Sequence, residues 1–312
     1  MPSNQGPRTR NPATDMTTYR GRFAPTPSGP LHFGSLVAAL GSCLEARDHG
    51  GEWLVRMEDV DPPRVVPGAA DAIFRTLEAY GFQWDGPVMW QSQRGEAYQA
   101  ALDRLVEAGT LFGCGCSRKM LSEGTKRGVE GMVYPGTCRG KPPRTGKAWR
   151  VAVPDQRVIF QDGMLGRVAC DVAWECGDFV LKRADGVFTY QLAVVVDDGE
   201  QGISHVVRGA DLLASTPRQI LLQQALALTT PAYAHLPVAL DEAGCKLSKQ
   251  TLAAPLDDAH PLPALLQAAG FLGMALDKVG SVYEFWDQAR VAWGRRDAVP
   301  IKAKRLSPRS CS

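Results

Sequence analysis

Residues 25–35 of the chain read Pro-Thr-Pro-Ser-Gly-Pro-Leu-His-Phe-Gly-Ser. They lie between a short strand-like run at 19–24 and a run with helical periodicity at 36–47 that closes at Gly50-Gly51. A loop rich in proline and glycine that leads into a helix gathers unpaired backbone N–H groups and the positive end of the helix dipole at one point. The sequence therefore predicts a phosphate-binding site at the start of this helix.

A second segment, Lys246-Leu-Ser-Lys-Gln250, places two lysines on a short polar loop far along the chain. A single glycine-rich turn is weak evidence for a nucleotide site, because such turns are common. The alternative for each segment taken alone is structural: His32 caps a helix, and Lys246 and Lys249 lie on a solvated turn. The two segments together, in this order, are stronger evidence for a phosphate-binding site than either segment alone.

Strand-like and helical runs alternate in the first part of the chain. The run Glu52–Met57 has the apolar pattern of a buried strand, and helices are predicted at 67–80 and 94–108, the second ended by Gly109. Such alternation is typical of an α/β fold with a doubly wound parallel sheet. From Leu111 it stops, and strand runs at 149–153 and 157–160 with a hairpin at 179–190 predict a mostly antiparallel inserted module.

The predicted organisation has six parts. They are a disordered tail at 1–18, the first half of a Rossmann-type domain at 19–110, the inserted module at 111–190, the second half of the Rossmann-type domain at 191–235, a lysine-bearing loop with a helical region at 236–295, and a basic tail at 296–312.

The motifs resemble those of one enzyme family. The His32-x-Gly34 loop is similar to the HIGH signature of class I aminoacyl-tRNA synthetases, and Lys246-Leu-Ser-Lys249 is similar to their KMSKS signature. Ser35 and Gln250 depart from the usual final residue of each signature. Further matches indicate the glutamyl/glutaminyl branch; they are Arg22 to Gly29, Arg56 to Pro62, Thr189 to Leu192 and His205 to Asp211.

Within this branch the chain resembles the glutamyl-queuosine tRNA(Asp) synthetases, shortened paralogues that lack the anticodon-binding domain. The resemblance implies activation of L-glutamate by ATP, with Mg²⁺, as glutamyl-adenylate without tRNA, and transfer to queuosine in the anticodon of tRNA(Asp). It also implies catalytic roles for His32, Lys246 and Lys249. The ATP-binding residues would be His32, Gly34, Ser35 and Lys249.

The glutamate pocket is likewise expected from the resemblance, and the residue types suit it. Arginine guanidinium groups bind carboxylates in a forked geometry, Glu58 is an acceptor for an ammonium group, and Tyr190 is a phenol donor. A buried arginine without a partner is costly, so two arginines in one pocket predict an anionic ligand. The alternative is that Arg56, Glu58 and Arg208 form structural ion pairs. The expected pocket residues are Arg22, Phe23, Ala24, Pro25, Thr26, Glu58, Tyr190 and Arg208.

A metal site is predicted in the inserted module. Cys114, Cys116 and Cys138 have a spacing that suits tetrahedral Zn²⁺, and no histidine lies between 111 and 150. From the residues alone the fourth ligand is Tyr134, Cys170 or Cys176, or water. The resemblance implies Tyr134 and one structural zinc per chain. The alternative is that the cysteines are free thiols.

Composition limits the remaining possibilities. The chain has 312 residues, 45% of them hydrophobic, and a net charge of +2, which fits a globular protein and neither demands nor excludes nucleic acid. No apolar run reaches the length of a membrane span, and the eight cysteines without an export signal argue against a disulfide scaffold. We expect a cytoplasmic protein, a monomer, with no membrane partner.

Two rival functions are open from the sequence. One is an ordinary glutamyl-tRNA synthetase that charges the 3′ terminal adenosine, which the small mass after Lys249 disfavours. The other is a catalytically silent paralogue that binds RNA, which the intact His32, Glu58, Arg208 and Lys249 disfavour.

Overall fold

The computed structural model describes residues 19–122, 127–128, 131–140, 148–238 and 254–295. In these residues the strands are β1 Arg20–Phe23, β2 Glu52–Met57, β3 Met89–Trp90, β4 Leu111–Cys114, β5 Arg127–Gly128, β6 Gly131–Met132, β7 Ala148–Val151, β8 Arg157–Asp162, β9 Gly166–Asp171, β10 Val180–Lys182, β11 His205–Gly209 and β12 Ala232–Leu236. The α-helices are α1 Phe33–Asp48, α2 Ala69–Ala79, α3 Gly95–Glu107, α4 Arg118–Ser122, α5 Val172–Glu175, α6 Tyr190–Glu200, α7 Thr216–Ala225, α8 Pro261–Phe271 and α9 Val282–Arg295.

The centre of the fold is a parallel arrangement of five strands. β1 pairs with β2, β2 with β3, and β11 with β12, each in parallel. β1 lies beside β11, and the two are joined just before β11 by a hydrogen bond from Ser204 N to Arg20 O of 3.0 Å. The resulting order, β3-β2-β1-β11-β12, confirms the predicted parallel sheet and brings the carboxyl ends of β1, β2 and β11 to one edge.

Two antiparallel units extend from this centre. β4, β7 and β10 form a separate antiparallel sheet, as expected for the inserted module. The β8–β9 hairpin instead joins the parallel part, because β8 pairs with β12 through Asp162 and Tyr233. A stretch that we assigned to the insertion thus borders the second half of the sheet. The boundaries of the six parts stay a prediction.

Helix α1 is buried on more than one side, because the sheet covers one face and α8 and α9 pack on another. Its sequence is accordingly apolar around most of its circumference. The turn that follows requires a glycine: a Cβ at Gly51 would lie 2.2 Å from the carbonyl oxygen of Tyr19. The loop before α1 also uses a glycine conformation, with φ of +137° at Gly29.

Two hydrophobic cores lie on opposite faces of the sheet. The first packs α1, α2, α8 and α9 against β1 and β2, and the second packs α3, α6 and α7 against β11 and the inserted strands. Val207 belongs to the first core and Val206 to the second, as the alternation of side chains along a strand requires.

Two local predictions differ from the structure in detail. The 179–190 hairpin has its turn at Gly186, but its second strand is reduced to one bridge between Lys182 and Phe188, because Thr189 already caps α6. The helical region expected within 236–295 consists, in the described residues, of α8 and α9 with a break between them. In the described residues, every helix is too short or too polar to cross a bilayer.

Candidate active site and metal centre

The start of α1 forms one wall of the candidate site. His32 is the N-cap residue: its Nδ1 accepts a hydrogen bond of 3.4 Å from the backbone N–H of Ser35. The structural alternative for His32, a helix cap, is therefore present in part. The capping bond also fixes the tautomer of the ring, because a neutral imidazole that accepts at Nδ1 carries its proton on Nε2. No acidic side chain lies in the first turn of α1, so the positive end of the helix dipole is not neutralised there.

The C-terminal part of the chain reaches the same place. His32 forms an antiparallel bridge with Pro255, and Leu256 N donates to Leu31 O at 3.0 Å. Lys246 and Lys249, predicted to cover the phosphates, lie outside the described residues. Before that segment, β12 is part of the parallel sheet; after it, Pro255 is joined by the bridge to His32 at the N-terminal end of α1.

Arg22 is buried and already has an acidic partner. Its Nε and Nη2 donate to the two carboxylate oxygens of Asp198, on α6, at 3.1 and 3.4 Å. The assumption that Arg22 lacks a partner and therefore needs an anionic ligand is wrong. Burial alone would raise the pKa of Asp198, but Arg22 and Arg56 lower it, and the net shift is downward. Contact between Arg22 and a substrate stays a prediction, and Nη1 is the nitrogen that these two bonds do not use.

Arg56 connects this pair to Glu58. Its side chain is fully buried, with Nη2 at 2.8 Å from Asp198 Oδ1 and at 3.6 Å from Glu58 Oε1. The Arg56–Glu58 half of the structural alternative is thus present. The Glu58 side chain is 9% exposed, and burial, partly offset by Arg56 and Arg22, raises its pKa to about 7.

Arg208, on β11, has a different environment in which neutral groups accept its hydrogen bonds. Nη1 donates to the hydroxyl of Tyr190 at 3.3 Å and Nη2 to the hydroxyl of Thr216 at 2.6 Å. Nη2 also contacts Leu212 O at 3.4 Å, and Nε donates to His235 Nε2 at 3.2 Å. Burial raises the pKa of Tyr190, so its phenol stays protonated. Arg208 and Tyr190 together can bind a carboxylate.

A cavity of about 140 Å³ connects several of these residues. Three of the predicted glutamate-binding residues, Thr26, Glu58 and Tyr190, are in its wall. The remaining wall residues are Val60, Asp61, Arg64, Gln91, Arg183, Phe188 and Thr189.

The other predicted pocket residues are placed by their backbone. The Phe23 side chain is buried in the first core beside Trp53, with a ring centroid distance of 6.2 Å, so only its main chain can face a ligand. Pro25 O accepts a hydrogen bond of 3.0 Å from Glu58 N, which joins the end of β1 to the end of β2. Ala24 lies between Phe23 and Pro25 in the chain. Gly34, which was predicted to bind ATP, is in the first turn of α1.

Cys114, Cys116 and Cys138 form a compact cluster in the inserted module. Their sulfur atoms lie within 4.8 Å of one another, and the Cys116 and Cys138 sulfurs are 3.6 Å apart. The hydroxyl oxygen of Tyr134 lies 3.5 Å from Cys114 Sγ and 3.6 Å from Cys116 Sγ. A hydrogen bond from Tyr134 lowers the pKa of Cys138 to about 7, which favours the thiolate. These residues can hold one metal ion.

The alternative fourth ligands lie elsewhere. Cys170, on β9, and Cys176, after α5, are both buried in the second core, whereas Cys114, Cys138 and Tyr134 form a small cluster of their own. Tyr134 is the alternative that the structure brings to the three sulfurs.

Sequence reasoning missed Asp197, Asp198, Asp162 and His235. Asp197 and Asp198 are two adjacent acids in the apolar run Leu192-Ala-Val-Val-Val-Asp-Asp198, and acids so placed need buried cations. That pattern was a usable signal. The pairing of Asp162 with His235 had none, since 73 residues separate them.

Known proteins resemble the chain over most of its length. Residues 18–274 match the family described as "tRNA synthetases class I (E and Q), catalytic domain". A "Glutamyl-Q tRNA(Asp) synthetase" from Dechloromonas aromatica (strain RCB) is 57% identical over 297 residues, which are 93% of this chain and 98% of that protein. A protein with the same name from Chromobacterium violaceum is 53% identical over 278 residues, 88% of this chain and 93% of that protein.

A solved structure is similar as well. A glutamate tRNA ligase from Elizabethkingia meningosepticum, determined in complex with its amino acid, superposes with a TM-score of 0.71 at 25% identity. The match covers 87% of this chain and 64% of that chain, so this protein spans less than two thirds of the length of that enzyme.

Proposed function

The chain belongs to the class I glutamyl- and glutaminyl-tRNA synthetase family, and we propose that it makes glutamyl-adenylate without tRNA and transfers the glutamate to queuosine in the anticodon of tRNA(Asp). The chain is a ligase of the aminoacyl-tRNA synthetase type. The observation that carries the choice of amino acid is the pair of Arg208 and Tyr190: Arg208 Nη1 lies 3.3 Å from the hydroxyl of Tyr190, and Tyr190 is in the cavity wall. The relatives named above support the choice of acceptor.

Activation requires a carboxylate oxygen of glutamate to attack the α-phosphorus of ATP while the bond to pyrophosphate breaks. Positioning and charge stabilisation contribute most to such a displacement. Mg²⁺ supplies charge neutralisation on the phosphates when bound. His32 and the N–H groups at the start of α1, with Gly34 and Ser35, would bind phosphate oxygens, and Lys246 and Lys249 would neutralise the pyrophosphate.

The amino acid would be held by opposite charges at its two ends. Arg208 and Tyr190 would bind the side-chain carboxylate, and ionised Glu58 would accept from the ammonium group. Arg22 would act mainly through Asp198, which fixes its guanidinium next to Glu58. Its Nη1 would then contribute a further donor to the substrate. Thr26 and the main chain of residues 23–25 would close the pocket.

We also propose that Cys114, Cys116, Cys138 and the Tyr134 oxygen hold one structural zinc ion. Ligands of tetrahedral zinc at about 2.3 Å for sulfur and about 2.0 Å for oxygen are separated by roughly 3.8 Å for two sulfurs and roughly 3.5 Å for sulfur and oxygen. The distances of 3.6 Å between two sulfurs and 3.5 and 3.6 Å from sulfur to oxygen fit this set. The ion would fix the loops of the inserted module.

The decisive experiment measures two steps separately. Pyrophosphate exchange with ATP and glutamate, without tRNA, tests activation, and no exchange would contradict the proposal. Labelled glutamate is then offered to two anticodon stem-loops of tRNA(Asp) that differ only in queuosine or guanosine. We expect labelling of the queuosine loop alone.

The rival functions give other results. Label found only on the 3′ adenosine of intact tRNA would favour an ordinary glutamyl-tRNA synthetase, and RNA binding without exchange would favour a silent paralogue. A monomeric state and a cytoplasmic location stay predictions, which light scattering and cell fractionation would test.

A further inference from the structure

His235 and Asp162 form a buried pair behind the candidate glutamate pocket. Both side chains are fully buried, and His235 Nδ1 lies 2.5 Å from Asp162 Oδ2. His235 is on β12 and Asp162 ends β8, so the pair forms where these strands meet. The function proposed above gives neither residue a role.

The second carboxylate oxygen of Asp162 is fully occupied by backbone donors. Oδ1 accepts from the backbone N–H groups of Met164 and Leu165 at 3.0 Å each and of His235 at 3.2 Å. Oδ2 is therefore the oxygen directed at the imidazole. Since a carboxylate can only accept, the proton of the neutral ring lies on Nδ1.

The other ring nitrogen faces Arg208. With the proton on Nδ1, His235 Nε2 is an acceptor, and Arg208 Nε–H donates to it at 3.2 Å. The same Nε2 lies 3.1 Å from the hydroxyl of Thr216, which itself accepts from Arg208 Nη2. Two of the contacts that orient the Arg208 guanidinium thus depend on one tautomer of His235.

This arrangement orients a cation without neutralising it at close range. The carboxylate of Asp162 is separated from Arg208 by the width of an imidazole ring, whereas Asp198 contacts Arg22 directly. Coulomb attraction falls with distance, so Arg208 keeps more of its attraction for an incoming anion than Arg22 does. Of its five N–H groups, the four hydrogen bonds described use four, and within the described part of the chain one Nη1–H is left for a ligand.

We propose that His235, held in one tautomer by Asp162, is a positioning residue that fixes the guanidinium of Arg208 for the side-chain carboxylate of glutamate. The inference rests on the proposed activation of glutamate. It adds two specificity-determining residues, Asp162 and His235, that lie outside the pocket and act through Arg208.

Two substitutions at one position separate the two ring nitrogens. Asparagine places its amide where Nδ1 stands, and glutamine places its amide where Nε2 stands. His235→Gln keeps an acceptor for Arg208 and loses the Asp162 contact, whereas His235→Asn does the reverse. We expect the Michaelis constant for glutamate in pyrophosphate exchange to rise about tenfold to hundredfold in His235→Asn, and much less in His235→Gln.

A third variant tests the tautomer. In Asp162→Asn the amide oxygen stays with the three backbone donors, so the amide N–H₂ faces His235 Nδ1 and drives the proton to Nε2. The ring then presents N–H to the N–H of Arg208. A similar change in a serine protease triad preserves geometry but selects the wrong tautomer. We expect Asp162→Asn to raise the Michaelis constant for glutamate about as much as His235→Asn does.

The control is a second histidine–aspartate pair on the surface. His260 Nδ1 lies 2.9 Å from Asp257 Oδ2, and the His260 side chain is 78% exposed. His260→Asn is expected to leave the Michaelis constants for glutamate and for ATP unchanged. The Michaelis constant for ATP should change less than about twofold in every variant that retains the wild-type thermal midpoint.

The outcomes are distinguishable. Equal effects of His235→Asn and His235→Gln on glutamate, or equal effects on glutamate and ATP, would show a merely structural role and overturn the inference. Absence of glutamate-dependent exchange in the unaltered protein would instead refute the proposed function on which the inference rests.

Discussion

Replacing Asp198 by asparagine removes a charge that two buried arginines share. Asp198 accepts from Arg22 Nε at 3.1 Å, from Arg22 Nη2 at 3.4 Å and from Arg56 Nη2 at 2.8 Å. Arg22 and Arg56 are 4% and 0% exposed, so solvent cannot replace the lost carboxylate. Breaking a buried ion pair by removing one partner costs about 3–5 kcal/mol. Asparagine matches the volume of aspartate, so no cavity adds to this loss.

The matched control is Glu52→Gln, which removes the acidic partner of Arg20 on the protein surface. That pair has an N–O distance of 2.5 Å, but the side chains are 37% and 43% exposed, so we expect a loss of about 0–1 kcal/mol. Both variants are compared by urea unfolding, with the slope on urea concentration required to stay constant. A loss below about 1 kcal/mol in Asp198→Asn, or an equal loss in Glu52→Gln, would refute the reasoning.

The pH dependence provides a second readout of the same variant. The folded pKa of Asp198 is lowered, because Arg22 and Arg56 outweigh the effect of burial. Its contribution to stability is therefore complete above the unfolded pKa of about 3.9 and is lost as the pH falls through the lower folded value. The difference between the unaltered protein and Asp198→Asn should shrink in this acidic range.

Three further predictions concern the site. Arg208→Gln should raise the Michaelis constant for glutamate in pyrophosphate exchange by a factor equivalent to about 2–4 kcal/mol and leave the constant for ATP unchanged. Arg157→Gln, at an exposed strand end, is the control, and an unaltered Michaelis constant for glutamate in Arg208→Gln would remove Arg208 from the pocket. Because the pKa of Glu58 is raised to about 7 and its ionised form accepts the ammonium group, glutamate should bind more tightly as the pH rises through this value. Glu58→Gln should bind glutamate weakly at every pH. If the affinity of Glu58→Gln for glutamate still rises with pH, another group is responsible for the titration. Protein purified without chelator should contain one zinc per chain by elemental analysis, and Cys116→Ser should lose it; zinc retained in Cys116→Ser would place the metal elsewhere.

Local sequence patterns were sufficient for the elements around the candidate phosphate-binding loop. The run Glu52–Met57 is the strand the sequence predicted, residue for residue, and the loop at 25–35 leads into α1 as expected. Such features depend on neighbours in the chain, where propensity and glycine geometry decide the outcome. The parallel order of strands follows for the same reason, since alternation of short strands and helices allows few topologies.

The partners of the buried charges could not be predicted from local pattern. Arg22 and Asp198 are 176 residues apart in the chain, and Arg208 and His235 are 27 apart on different strands. Only the register of β11 with β12, which pairs Arg208 with His235, decides that these side chains meet. Sequence reasoning therefore identified arginines that suit a glutamate pocket but not the side chains that pair with them. Their partners distinguish them: one is neutralised and the other is not.

The first hydrophobic core is built from both ends of the described chain. Helix α1 packs on α9, and a Cβ at Gly41 would lie 3.4 Å from the ring of Trp293, whose Nε1 donates to Glu45 at 2.7 Å. During synthesis on the ribosome, α1 emerges long before α8 and α9, so its apolar face stays without these partners until most of the chain has been made. Contacts of such high sequence separation form slowly and leave intermediates prone to aggregation.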